Sequence, residues 1–148
     1  MMDRFLVFAQ FGLIALMLFF SKGLTAFKHP TLPLLLFLIG LSVGLWALMH
    51  NRVGNFHIRP KMKSGSLLIT TGIYGYIRHP MYSAVVVMML AVLVADPSLV
   101  QFLFFVLLIV VLVLKANKEE SLWMGHNEMQ EAYETYKKQS KLFIPYIL

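Results

Sequence analysis

The stretch 80-PMYSAVVVMMLAVLVA-DPS-LVQFLFFVLLIVVLVL-114 decides the fold. Two apolar runs of nearly equal length flank Asp96-Pro97-Ser98, a tight-turn sequence. Between Arg78 and Asp96 lie 17 residues without Asp, Glu, Lys or Arg, and between Asp96 and Lys115 lie 18. A helix that crosses a bilayer needs roughly 17–25 residues. Arms of equal length, each rising ~1.5 Å per residue, carry the chain across and back to the face it left. The sequence around Arg78 is therefore expected to lie level with the sequence that follows Lys115.

Reading outward, two more uncharged runs precede the hairpin, 17 residues between Arg4 and Lys22 and 23 between Lys28 and Arg52. Snorkelling by Arg4, Lys22, Arg78 and Lys115 extends the shorter ones. Of the 148 residues, 59% are hydrophobic and 14% charged, where soluble domains carry about a quarter charged; mean hydropathy is +0.73. The expectation is an all-α integral membrane protein of four transmembrane helices with a cytoplasmic helical tail, forming a single membrane domain over 1–148. The spans are placed at about Phe5–Phe20, Leu32–Met49, Pro80–Ala95 and Leu99–Leu114. His29-Pro30 marks the turn before the second span, and Pro33 suits a first helical turn. No small-x-small site follows the first run, whose end is the bulky Leu18-Phe19-Phe20, so removal as a signal peptide is not expected. The loop Asn51–Arg78 carries Gly54, Pro60, Gly65, Gly72 and Gly75 and should be irregular; loops of this length are usually functional. The tail Lys115–Leu148 should continue the fourth span, form an amphipathic helix, and dock its apolar end, Leu142–Leu148, on membrane or protein.

The formal charge of +6 is a matter of placement. Arg4, Arg52, Arg59, Lys61, Lys63, Arg78, Lys115, Lys118, Lys137, Lys138 and Lys141 fall on one side of a four-span layout, and Lys22 and Lys28 on the other. The positive-inside rule puts both termini, the middle loop and the tail in the cytoplasm, with a bacterial inner membrane as the expected location. Attraction to anionic lipid accounts for the basic face, and nucleic acid is not expected as a partner. With no cysteine, disulfides, thiolate metal sites and cysteine nucleophiles are excluded. The five histidines are scattered with no i, i+4 pair on one helix, so no metal is expected.

The hairpin sets two groups of polar residues face to face. Pro80 suits the first position of a helix. Arg78 and His79 then stand at its positive end, an arrangement that favours a carboxylate or phosphate. Tyr82 offers a hydroxyl one turn inside. Opposite stand Glu119 and Glu120, suited to an amine, a ribose diol or a sulfonium. Each residue also has a structural reading. Arg78 serves as an interfacial anchor and Tyr82 as an aromatic-belt residue, and either glutamate pairs with Arg78 or a lysine.

Gly72-Ile73-Tyr74-Gly75-Tyr76-Ile77-Arg78-His79-Pro80-Met81-Tyr82, followed by Glu119-Glu120 and by Tyr133 to Tyr136 before Pro145, resembles the isoprenylcysteine carboxyl methyltransferase family, which belongs with the phospholipid methyltransferases. Asn55-Phe56-His57-Ile58-Arg59-Pro60 is similar to the lead-in of bacterial members. The resemblance implies methyl transfer from S-adenosylmethionine bound at the cytoplasmic ends of these helices. It implies that His79, Tyr82, Tyr76, Glu120, Tyr133 and Tyr136 hold the cofactor, and that Glu119, Glu120 and Arg78 serve the reaction. The partner it implies is a lipophilic acceptor, a prenylcysteine-like carboxylate or a lipid. The chain departs from the family pattern at Ile73, Gly75, Ser83-Ala84, Met124–Glu131 and Lys141. Two other functions fit a membrane fold of this kind. One is an NADPH-dependent reductase, for which the loop lacks the dinucleotide glycine pattern. The other is a non-catalytic lipid-binding subunit.

Overall fold

The structure is a computed structural model that describes residues 2–22, 30–51, 68–125 and 130–144. The expectations for Lys28-His29, for Asn55–Pro60, for the glycines at 54 and 65, and for Pro145 lie outside the described residues. Among those described are five α-helices and no strand: α1 (Met2–Phe20), α2 (Thr31–His50), α3 (Pro80–Ala95), α4 (Leu99–Met124) and α5 (Gln130–Gln139).

The helix ends follow from local chemistry. Pro80 occupies the first turn of α3, where a missing N–H costs nothing. Asp96-Pro97 ends α3, because a residue before proline is pushed out of the helical region. Ser98 then caps α4: its hydroxyl accepts from the Gln101 N–H at 3.2 Å, one of the N-terminal donors a helix cannot satisfy itself. From there α4 runs 26 residues, ten beyond the expected end of the fourth span, through Lys115, Glu119 and Glu120.

Two of the four expected spans, α2 and α4, are long and apolar enough to cross a membrane by themselves. The apolar parts of the others are shorter, Arg4–Phe20 and Pro80–Ala95. The 16 residues of α3 span ~24 Å against a hydrocarbon thickness of ~30 Å. The helix keeps the bounds expected from the sequence, Pro80–Ala95, because Pro80 and Asp96-Pro97 close it from both ends.

No residue of α3 is exposed; it is the inner helix of the bundle. Against it lies α2, and the approach is close: a Cβ on Gly40 would come within 2.9 Å of the Ala84 carbonyl oxygen and the Met88 backbone nitrogen. One turn on, a Cβ on Gly44 would meet Ala84 Cβ at 3.3 Å. Small residues at this spacing let two helix backbones approach. They also give Ala84, one of the family departures, a packing reason to be small. On the other side α1 packs along α4, with Met17, Leu108 and Leu112 at 0% exposure in the shared core. The outer faces of α1, α2 and α4 are apolar and open, with Phe8 73%, Phe19 82% and Leu38 57% exposed. So large an exposed apolar surface marks contact with a membrane or a partner.

Candidate active site

The hairpin closes as its arm lengths require. Arg78 Nε donates to Glu120 Oε1 at 2.7 Å, and the Tyr82 hydroxyl donates to Glu119 Oε1 at 2.6 Å. Residues 42 and 37 positions apart thus meet where α3 begins and the apolar part of α4 ends.

The two glutamates, indistinguishable in sequence, are separated by the structure. Glu120 is buried and fully engaged. Besides Arg78, its Oε2 pairs with Lys137 Nζ of α5 at 2.7 Å, and His79 Nε2 faces Oε1 at 3.6 Å. Burial would raise its pKa, but His79, Lys137 and Arg78 outweigh that and hold the carboxyl down at about 2. Glu119 is more open, its side chain 22% exposed against 6% for Glu120. It receives the Tyr82 hydroxyl and faces His79 Nδ1 at 3.4 Å. His79 lies between the two carboxylates. Burial alone would lower its pKa, yet the two carboxylates beside the ring, Glu119 and Glu120, raise it above the ordinary histidine value. Its Nε2 is buried and has no hydrogen-bond partner, since 3.6 Å exceeds hydrogen-bond reach. The ring stacks on Tyr82, centroids 5.5 Å apart, and Phe143 stands edge-on to both rings.

The tail fastens this arrangement. Residues 140–143 run beside 76–79 as a short parallel pairing. The Lys141 N–H donates to the Tyr76 carbonyl at 3.0 Å, Arg78 N–H to Lys141 at 2.7 Å, and His79 N–H to Leu142 at 3.2 Å. The Arg78 guanidinium also donates to the carbonyls of Lys137 and Ser140, and the Ser83 hydroxyl donates to the Phe143 carbonyl at 2.5 Å. The apolar end thus docks on protein, as far as it is described. A second anchor comes from the 3-10 turn Gly72–Gly75. Gly72 has φ +60°, and a Cβ there would strike the His50 ring at 2.6 Å, so glycine is required on both counts. His50 Nε2 lies 2.9 Å from the Thr71 hydroxyl. The turn presents the Tyr74 carbonyl to the Tyr136 hydroxyl at 2.6 Å.

Of the residues singled out from sequence, Arg78, His79, Tyr82, Glu119 and Glu120 form one contiguous cluster. Tyr133 and Tyr136 are buried beside it on α5. Tyr133 stacks on Trp123 with centroids 5.9 Å apart and stands edge-on to Tyr136; burial, first of all, raises both phenol pKa values. Tyr76 supplies its carbonyl to the tail, and its side chain points outward, the residue being 53% exposed. Sequence reasoning missed Gln10 and Lys115, which reach the cluster from α1 and α4, and Ser140 and Phe143 from the tail. Lys115 carried a signal, standing one turn before Glu119 on the same helical face. A single amide in an apolar helix gave none for Gln10.

The model of the isoprenylcysteine carboxyl methyltransferase (ICMT) family matches residues 31–124. The chain belongs to this family. The match takes in α2, the 3-10 turn, α3 and α4, and with them Arg78, His79, Tyr82, Glu119 and Glu120. It leaves out α1, α5 and the tail. Membership makes this a chain of a membrane methyltransferase family. No curated protein and no solved structure matches the chain.

Proposed function

We propose that the protein is an S-adenosylmethionine-dependent methyltransferase. Its donor binds at the junction of α3 and α4, and its acceptor is lipophilic, a prenylcysteine-like carboxylate or a lipid headgroup. The carrying observation is the division of labour between the carboxylates: Glu120 is neutralised by Arg78 and Lys137, while Glu119 stays accessible between Tyr82 and His79. The donor set suits S-adenosylmethionine. Glu119 matches an amine or sulfonium, the unpartnered His79 Nε2 offers a polar contact, and Trp123 and Tyr133 offer aromatic faces.

Bound there, the donor would supply an electrophilic methyl group on a sulfonium. The chain's own part is holding and shielding. Glu119, held by Tyr82, fixes the cationic end of the donor, and Arg78 with Glu120 keeps the tail in place over it. Phe143 and the Trp123–Tyr133 stack limit water, and positioning of this kind is worth several orders of magnitude in rate. A carboxylate acceptor is already ionised near neutral pH and needs no base. An amine acceptor would have to lose a proton, and Glu119 and His79 are the groups placed to help. The exposed apolar faces of α1, α2 and α4 support entry of the acceptor from the side, and the distribution of basic residues supports a cytoplasmic active face and cytoplasmic termini.

Incubation with isotope-labelled S-adenosylmethionine in membranes, followed by mass spectrometry of lipid extracts, tests the proposal. A labelled lipid or prenylcysteine product, absent from Glu119→Gln, is expected. Equal activity on a water-soluble acceptor, with no gain from an added lipid chain, would count against lateral entry.

A further inference from the structure

Among the described residues, two buried polar contacts of different kinds join α1 and α4. Near the start of α4, the Gln101 side-chain amide donates to the Met17 carbonyl at 2.9 Å. This is a neutral tie between helices. About 21 Å along α4, Lys115 is 2% exposed and places its Nζ 2.6 Å from Gln10 Oε1. Gln10 is itself 6% exposed. A buried ammonium between apolar helices is expensive, and Gln101 shows that this interface can be tied without one.

What the charge touches supplies its purpose. Lys115 Nζ stands 5.0 Å from the centroid of the Tyr82 ring, and the hydroxyl of that ring donates to Glu119 at 2.6 Å. Glu119 is also one turn along α4 from Lys115, on the same face. A cation over a phenol ring is attracted to its face and draws electron density from it, which makes the hydroxyl a better donor. The same charge attracts the Glu119 carboxylate. Gln10, Lys115, Tyr82 and Glu119 thus form one line from α1 to the accessible carboxylate.

We infer that Lys115 and Gln10 are positioning residues of the donor site: Gln10 aims the Lys115 ammonium at the Tyr82–Glu119 pair, and that pair then holds the cationic end of the donor. This rests on the reading of the site as one for S-adenosylmethionine. It makes α1, which lies outside the matched family segment, part of the binding machinery.

The test is S-adenosylmethionine binding by isothermal titration calorimetry in detergent, with thermal unfolding recorded for each protein. The double variant Gln10→Leu/Lys115→Met replaces both groups of this contact by apolar side chains of similar size. With affinity taken per folded molecule, it should bind the donor roughly ten-fold more weakly. Gln101→Leu, which cuts the tie at the far end of the same helix pair, should bind like wild type. Gln10→Glu keeps an oxygen on Lys115 and should retain affinity that Gln10→Leu loses, which decides the matter without the double variant. Wild-type affinity in the double variant or in Gln10→Leu, or an equal loss in Gln101→Leu, overturns the inference alone. Failure of the wild-type protein to bind overturns the donor-site reading and this inference with it.

Discussion

Helices α2 and α3 approach through Gly40, Gly44 and Ala84, backbone against backbone, whereas α1 and α4 meet over Gln10, Met17, Gln101 and Lys115. Both pairs lie in apolar surroundings, and each uses a different device to come together. Between α2 and α3 the device is shape, which needs small residues and carries no charge. Between α1 and α4 polar contacts are added to an apolar core, and one of them sits beside the carboxylate cluster. Both pairs reach the site, through Tyr82 on α3 and Glu119 on α4, but only the second carries a buried lysine up to it.

The largest effect is expected where charge is buried. Glu120→Gln leaves the Arg78 guanidinium, 9% exposed, without its anion. Breaking one side of a buried pair costs about 3–5 kcal/mol. Denaturant unfolding in detergent should show that loss, together with easier proteolysis of the tail that Arg78 and Lys137 hold. A change below the size of an exposed pair would mean that the network adds little. Next comes shape: Gly40→Ala drives a Cβ against backbone atoms of α3 and should cost about 1–3 kcal/mol, read by the same method, with donor affinity per folded molecule unchanged. If Gly40→Ala alters affinity in well-folded protein, the division between a shape-held scaffold and a charged site fails. Smaller again, Gln101→Leu removes one hydrogen bond but also a buried carbonyl oxygen that has no partner, so its cost should stay within about 1 kcal/mol.

The dependence on pH has two components of opposite sign. The carboxyl of Glu120 lies near 2 when folded, below its ordinary 4.5. Its contribution is therefore present above 4.5 and is lost as pH falls toward 2. His79 is raised above 6.5. Its contribution is complete below 6.5 and is lost as pH rises through the folded value. Melting temperature against pH should decline on both sides, and His79→Gln should remove the alkaline decline and weaken the acid one, which Arg78 and Lys137 still support. An alkaline decline that persists in His79→Gln would assign it to another group.

Much of the fold was legible in the sequence because punctuation is local. Pro80, Asp96-Pro97 and Ser98 fix the boundaries of α3 and the start of α4, and the hairpin they enforce brought Arg78 and Tyr82 to Glu120 and Glu119. The end of α4 was less legible: the apolar run stops at Leu114, and the helix continues through polar residues to Met124. Which glutamate takes Arg78, and which lysine joins it, was not legible. Lys137 is one of several tail lysines, and only the fold brings it to Glu120. The pairing of residues 140–143 with 76–79 is made by backbone atoms, which leave no pattern in side chains. Gln10 looks like a tolerated amide in a span until its distance to Lys115 is known.

The central claim is that the accessible carboxylate at the α3–α4 junction holds the methyl donor. Equilibrium binding of labelled S-adenosylmethionine to wild-type protein and to Glu119→Gln, both checked for unchanged unfolding, tests it most directly. Saturable binding by the wild type, weakened at least about ten-fold in Glu119→Gln, is the predicted result. No binding by the folded wild type, or equal binding by both, would contradict it.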